Sequence, residues 1–347
     1  MTTIGNVCAF TNGKAHEQNV VEYGEYIIVN SKFISSDGVV KKYSNKQICP
    51  LFKNDIVMVM SDVPNGKAMS KCFCIDKDNK YTLNQRICAL RTKQIPLYYM
   101  MQINRNDYFM KFDDGVKQTN LRKDDVLACP VYSTTIKEQT KIADFLSLID
   151  QRIEKQRRLV ESLKKYKRGL LSVIFDKIYS NSTLTLGEIC NITTGKLDAN
   201  AMVVGGKYRF YTCAREYFEI DTYAFDTDAL LISGNGANVG YIHHYCGKFN
   251  AYQRTYVLDR FQENIMYIYY YLQANLHPRI EAEKKAGNTP YIVLSTLSDM
   301  LIKLPTKEMQ DKIAKIFAIL DKKITTENDV LERLNTQKQG LLQQMFI

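Results

Sequence analysis

The sequence predicts an α+β protein in which two tandem mixed α/β domains are separated by two long helices. Three observations carry this. A 39-residue segment recurs 171 positions later, both copies hold a four-three apolar spacing, and each copy is preceded by strand-rich stretches punctuated by glycine turns. At 347 residues the chain exceeds what a single core usually encloses. Its hydrophobic share of 45%, without a low-complexity tract, is that of a folded protein.

The repeat defines the boundaries. Lys137–Phe175 laid on Glu308–Phe346 without a gap gives 13 identities in 39 positions, where about two or three arise by chance. They include Gln139/Gln310, the Lys-Ile-Ala runs at 141 and 312, Asp150/Asp321, Ile153/Ile324, Glu161/Glu332 and the Gly-Leu-Leu runs at 169 and 340. The globular parts repeat as well. Thr3-Ile4-Gly5 through Gly13-Lys14 matches Thr185-Leu186-Gly187 through Gly195-Lys196, Asn84-Gln85-Arg86 parallels Tyr252-Gln253-Arg254, and Leu97–Gln102 parallels Ile268–Gln273. The chain therefore reads as a first domain over 1–136, a helix over 137–180, a second domain over 181–306 and a second helix over 307–347.

In the first domain, Gly13 makes a turn before Lys14, Asp55–Met60 is an alternating or buried strand run, and Pro96 is placed to open a helix. The first long helix carries a seam of Ile142, Leu146, Ile149, Ile153, Gln156, Val160, Leu163, Lys167, Leu170 and Ile174. In the second domain, Gly195 repeats the turn, Ala229–Ile232 the strand, and Ile265, Ile268, Tyr269 and Leu272 the apolar helix face. The closing helix repeats the seam with Ile313, Phe317, Leu320, Ile324, Glu327, Leu331, Leu334, Lys338, Leu341 and Met345. Polar residues interrupt both seams at the same places, Gln156 with Glu327 and Lys167 with Lys338. Such breaks fix register in a paired coil, or simply reach water from a loose point. An antiparallel pairing is expected to set Lys167 near Glu327 and Lys338 near Gln156. A helix from Ile142 to Ile174 spans about 50 Å, or about 14 base pairs of duplex.

A net charge of +10 and a pI near 9.0 point to an acidic partner, nucleic acid first. Residues 137–175 carry ten Lys/Arg against five Asp/Glu. The loops hold the residue types that read base edges and phosphates. The candidate DNA-binding residues are Lys14, Asn65, Lys67, Gln85, Arg86, Lys117 and Gln118 in the first domain, with Lys196, Asn235, Asn238, Gln253, Arg254, Asn288 and Thr289 in the second. Arg209 is a further phosphate candidate, and some of the 23 tyrosines are candidates for stacking. Each loop is equally readable as a plain turn, and each Gln-Arg pair as a brace.

Catalytic and metal motifs are missing. The sequence has no Asn/Asp-Pro-Pro-aromatic loop, no GxxxxGK[ST] cradle and no HExxH, and Gly234, Gly236 and Gly240 do not make a dinucleotide fingerprint. The nine cysteines form no CxxC pair, the pattern of reduced, mostly buried thiols. No secretory or membrane-spanning pattern appears, so a cytoplasmic location is expected.

The duplicated Gln-x-Lys-Ile-Ala segments, the seams and the terminal Lys-x-Gly-Leu-Leu-x-x-x-Phe resemble those of the specificity (S) subunits of type I restriction-modification systems, over essentially the whole chain. The resemblance implies two target recognition domains, inverted about helices that pair as an antiparallel coiled coil, reading a bipartite sequence on double-stranded DNA. It implies a non-catalytic subunit that binds no cofactor itself and recruits two methyltransferase subunits, which hold S-adenosylmethionine. In the full complex it implies two translocase-nuclease (restriction) subunits that use ATP and Mg. On the same basis Gln139, Ile142, Asp150, Ile153, Gln156, Lys167 and Gly169, with Gln310, Ile313, Asp321, Ile324, Glu327, Lys338 and Gly340, are assigned to scaffold and partner docking. The first domain opens almost at Met1 and the chain is short for a two-domain member, departures that would fit natural trimming or a related system with modification and cleavage joined in one partner. Two other classes stay open on the residues alone: a self-sufficient DNA methyltransferase or nuclease, and a purely structural coiled-coil protein.

Overall fold

The computed structural model describes residues 1–63, 67–113, 118–283 and 291–346. The chain divides into two compact units, Met1–Lys155 with Leu331–Ile347, and Gln156–Val330. Each combines one globular domain with a stretch of both long helices, Ile136–Lys177 and Lys307–Met345.

Both helices start alike. Thr135 Oγ accepts from the Glu138 amide and Thr306 Oγ from the Met309 amide, so a threonine hydroxyl satisfies an amide that the first turn leaves orphaned. Past this cap, neither helix contains a proline, and the long unbranched side chains that dominate both lose little freedom on coiling.

In the first unit the main sheet is antiparallel, with Ala9–Asn12, Ile87–Arg91, Ile56–Val59 and Cys72–Cys74 in that spatial order. Its central strands read as unbroken apolar runs because both faces are covered. Ile56, Met58, Cys88 and Leu90 enter one core together with Tyr98 and Tyr99, while Val57, Val59, Ile87 and Ala89 enter another with Phe33 and Leu83. The second unit uses the same device in a six-stranded sheet, whose order is Asn191–Thr194, Thr255–Asp259, Phe225–Ser233, Ile242–Ala251, Tyr208–Tyr211 and Phe218–Ile220. There Leu230, Ile232 and Leu258 face the helix Ile265–Glu283, and Ala229, Leu231 and Val257 face a smaller cluster around Phe249.

Each domain is closed where it begins. Thr2–Thr3 pairs with Pro130–Val131, and Ser182–Thr185 with Leu301–Leu304, so the long helix leaves beside the domain's first residues. The helix ends complete the cores. Phe175 packs against Tyr267, Tyr271 and Phe317 in the second unit, and its repeat counterpart Phe346 lies 5.6 Å from the Tyr98 ring in the first. Tyr98 thus corresponds to Tyr267, two residues away from the alignment of Leu97–Gln102 with Ile268–Gln273, because the phenylalanine selects the tyrosine that faces it.

The turn glycines are sterically required. A Cβ on Gly13 would stand 1.9 Å from the Asn84 carbonyl oxygen, and one on Gly195 1.9 Å from that of Ala251. By contrast Gly169 and Gly340, inside the helices, have nothing within 4 Å of a built Cβ. Gly195→Ala is therefore expected to destabilise the protein by roughly 2–4 kcal/mol, and Gly169→Ala to stabilise it by about 0.5–1 kcal/mol through helix propensity. Denaturant titration of both variants tests the contrast. Equal effects would contradict it.

Candidate nucleic-acid interface

In each unit the backbone brings the separated candidate segments to one edge. In the first, the Gln85 amide donates to the Lys14 carbonyl, the Met60 amide to that of Arg86, and the Leu121 amide to that of Met60. The second repeats the chain of bonds: Gln253 to Leu197, Gly234 to Arg254, and Ile292 to Gly234. Lys14, the Gln-Arg turn, the loop after Met60 and the strand Thr119–Asn120 thus share a rim whose counterpart carries Leu197, Gln253-Arg254, Asn235 and Tyr291. Lys196 falls one residue before the position that matches Lys14, because the second copy has one extra residue after its glycine turn.

The side chains on this rim divide into tied and free. Gln85 donates to Glu17, and Gln253 donates to Asp198 at 2.8 Å, so both glutamines brace the glycine-turn loop. Arg86 and Arg254 are exposed, and neither guanidinium has a partner among the described residues. Lys14, Lys196 and Lys67 are exposed as well. Asp62 organises the loop that carries Lys67 by accepting from the amides of Val63, Ala68 and Met69. Gln118 donates to Ser61 Oγ at 2.9 Å. Asn238 is held inside its own loop, donating to the Cys213 carbonyl and accepting from Arg215 Nε at 3.3 Å, while the Asn235 backbone bridges to Tyr291. Asn65, Lys117, Asn288 and Thr289 lie outside the described residues.

Sequence reasoning passed over Arg215, whose only signal was its place in an aromatic-rich stretch, and read Arg209 as a plain phosphate contact. The Arg209 guanidinium instead sits 4.3 Å over the Tyr217 ring and 4.5 Å over Tyr245, and donates to Tyr211 Oη. That hydrogen bond, ahead of the neighbouring tyrosines, raises its pKa further. His16 and His243 serve structure. His16 is buried between the Lys14 carbonyl and Thr82 Oγ1, and burial lowers the His243 pKa while its ring contacts the Ala214 carbonyl.

The residues assigned to the helices form two kinds of joint. Gln139 and Gln310 are 0% and 1% exposed. Gln139 Nε2 donates to the Thr134 carbonyl and to Gln94 Oε1, and its Oε1 accepts from the Ile95 amide at 3.4 Å. Gln310 makes the same set with the Pro305 carbonyl, Glu263 and the Asn264 amide. Each glutamine therefore ties the start of its long helix to the start of its domain's main helix.

The second joint is the seam, where the helices run antiparallel within each unit. Gln156 Nε2 donates to Glu327 Oε2 at 2.6 Å, Lys167 Nζ to Asp321 at 2.6 Å, and Lys338 Nζ to Asp150 at 2.5 Å. Both lysines thus pair with an aspartate, where the sequence led us to expect Glu327 for Lys167 and Gln156 for Lys338. With Gln156 opposite Glu327, Lys167 is eleven residues further on, about 16 Å along the axis. Its stem leans toward its own helix N-terminus and meets Asp321 first. The two ion pairs are each other's counterparts under the 171-residue offset. Glu327 is also held by Lys323, which, ahead of Gln156, keeps its carboxyl below the usual glutamate range. Ile153 and Ile313 are buried in the same seam, Ile142 and Ile324 half-buried, and Gly169 and Gly340 carry no contact a methyl would disturb.

All nine cysteines are free thiols, and burial pushes Cys8 and Cys190, at matching positions, up to about 12. Among the described residues no group of three or more His, Cys, Asp or Glu side chains is placed to hold a metal ion, and no helix is long and apolar enough to cross a membrane.

A family model for the type I restriction modification DNA specificity domain matches residues 1–164 and again 181–336. The chain belongs to this family of type I specificity subunits. It is 38% identical over 152 residues to the specificity subunit of the type I restriction enzyme EcoDI of Escherichia coli, a match covering 44% of this chain and 34% of that protein. It is 26% identical to a putative type I specificity subunit of Mycoplasma genitalium, across 93% of this chain and 88% of the relative. A crystal structure of a type I restriction-modification S subunit from M. genitalium has the same fold, with a TM-score of 0.65 at 21% identity, covering 99% and 95% of the two chains.

Two outcomes follow for the joints. Gln139→Leu leaves a buried amide and carbonyls without their partner and is expected to cost about 1–3 kcal/mol per orphaned group, measured by denaturant unfolding; a change below experimental error would exclude the tie. Asp150→Lys or Lys338→Glu alone is expected to destabilise by about 1 kcal/mol, and the two together to recover most of it. A double-mutant cycle with no coupling would remove the seam contact.

Proposed function

We propose that the chain is the non-catalytic DNA-reading subunit of a type I restriction-modification complex, with one half of a bipartite double-stranded target read by each domain and the spacer set by the long helices. The observation that carries this is the repeated rim. The same backbone scaffold, in both domains, presents a braced glutamine next to an arginine with no partner among the described residues, and a bidentate arginine is suited to guanine in the major groove. On this reading 1–136 and 181–306 are the target recognition domains.

Partner docking falls to the outward faces of the long helices, since Gln139, Gln310, Ile153 and Ile313 are already buried in the protein's own core. Phe145 and Leu148 are exposed, as are Ile316 and Ile319, and these pairs are 171 positions apart, so one kind of methyltransferase subunit would find two equivalent sites. S-adenosylmethionine, and ATP with Mg in the two restriction subunits, would then be held by the partners, and the complex would act in the cytoplasm.

The test is a domain exchange. Replacing residues 183–305 with those of another such subunit, co-expressing it with its methyltransferase and mapping methylated adenines should change one half-site and leave the other and the spacer intact. Changes in both halves would contradict the assignment, and methyl transfer by the isolated chain would overturn its non-catalytic role. Arg86→Ala should weaken binding about 10–100-fold at targets carrying the first half-site and leave the second half-site's preference unchanged.

A further inference from the structure

The second unit contains a cleft of about 720 Å³ between the first long helix, the loop Ala237–Ile242 and the helix Ile265–Glu283. Lys164, Lys167, Arg168 and Arg215 line it, with the carboxylates Glu161 and Asp321. Both carboxylates are already taken: Glu161 by Lys164 at 3.2 Å and Asp321 by Lys167 at 2.6 Å. Two guanidiniums remain uncompensated. Arg168 is exposed and has no partner among the described residues, while Arg215 is aimed by the neutral Asn238 side chain and lies 5.8 Å over the Tyr241 ring. Two guanidiniums from different elements thus line a cleft whose described carboxylates are already paired, and the charge and forked donors of a guanidinium match those a phosphate takes.

The cleft adjoins the rim, because Asn238, which orients Arg215, belongs to the same loop as Asn235. The repeat makes the feature one-sided. At the positions 171 residues after Lys164 and Arg168 stand Asn335 and Gln339, neither of them charged.

We propose that Arg168 and Arg215 clamp the phosphodiester backbone of the DNA strand that passes the Asn235–Asn238 loop, so that the first long helix is itself part of the DNA-binding surface of the second domain. This rests on the DNA-reading assignment above and adds to it a sequence-independent anchor at one half-site only.

The experiment measures binding of the full chain to a labelled duplex, by anisotropy, between about 50 and 200 mM salt. Arg168→Gln, which installs the residue type found at 339, is combined with Arg215→Gln. The slope of log affinity against log salt is expected to fall by about two, the preference for the target sequence to persist, and the melting temperature to stay unchanged. Arg168→Lys with Arg215→Lys should keep the slope. An unaltered slope in the glutamine variant would overturn the proposal. So would loss of binding to inorganic phosphate or ATP with DNA binding intact, which would make a free anion the occupant. A reduced slope in a chain that shows no sequence preference at all would instead support the clamp and sink the half-site assignment.

Discussion

The architecture depends on one buried side chain used twice. A glutamine amide has two donors and an acceptor, and in the first turn of each long helix all three directions are occupied: the segment entering the helix, the loop before the domain's main helix, and the amide of the residue that precedes that helix. No apolar residue can satisfy these groups, and leaving them unmet in a core is costly. The glutamine thus converts a flexible junction between domain and rod into a fixed angle. Everything on the rim inherits its orientation from that angle, since the rim sits on the sheet against which the same helix packs.

Much of this was legible in the sequence because repetition amplifies weak signals. The identity of Gln139 with Gln310, and the matched polar breaks in the seams, mark positions where something other than hydrophobicity is at work. One central strand of each sheet was legible as an apolar run, Asp55–Met60 and Ala229–Ile232, whereas its partner strands and the burial of both faces were not. The lysine partners were not legible. Heptad spacing says which residues face the seam, but a lysine's long stem decides which carboxylate it reaches, and Asp321 and Asp150 lie just outside the strict spacing. The offset of the main helices was also misjudged by two residues, because Leu97–Gln102 and Ile268–Gln273 are both tyrosine-rich and align in several registers.

The rim was only partly legible, for a different reason. Loop sequences name candidates by residue type, and type does not distinguish a free group from a spent one. Gln85 and Gln253 are committed to Glu17 and Asp198, Asn238 to its own loop, and Arg209 to a cage of tyrosines. Arg215 is the converse, inconspicuous in sequence and singled out by what surrounds it.

The division of the chain has a consequence for how it is made. The second unit is one continuous stretch, Gln156–Val330, whereas the first joins Met1–Lys155 to the final residues after Val330. Phe346, which packs against Tyr98, is the counterpart of Phe175 and follows Tyr98 by 248 residues. Since domains organise as they emerge from the ribosome, the first unit cannot close its core until the whole of Gln156–Val330 has been made. Until then, the ring of Tyr98 and the apolar side of Ile142 lack the cover that Phe346 supplies. Synthesis time, as well as folding free energy, sets how long that surface stays open.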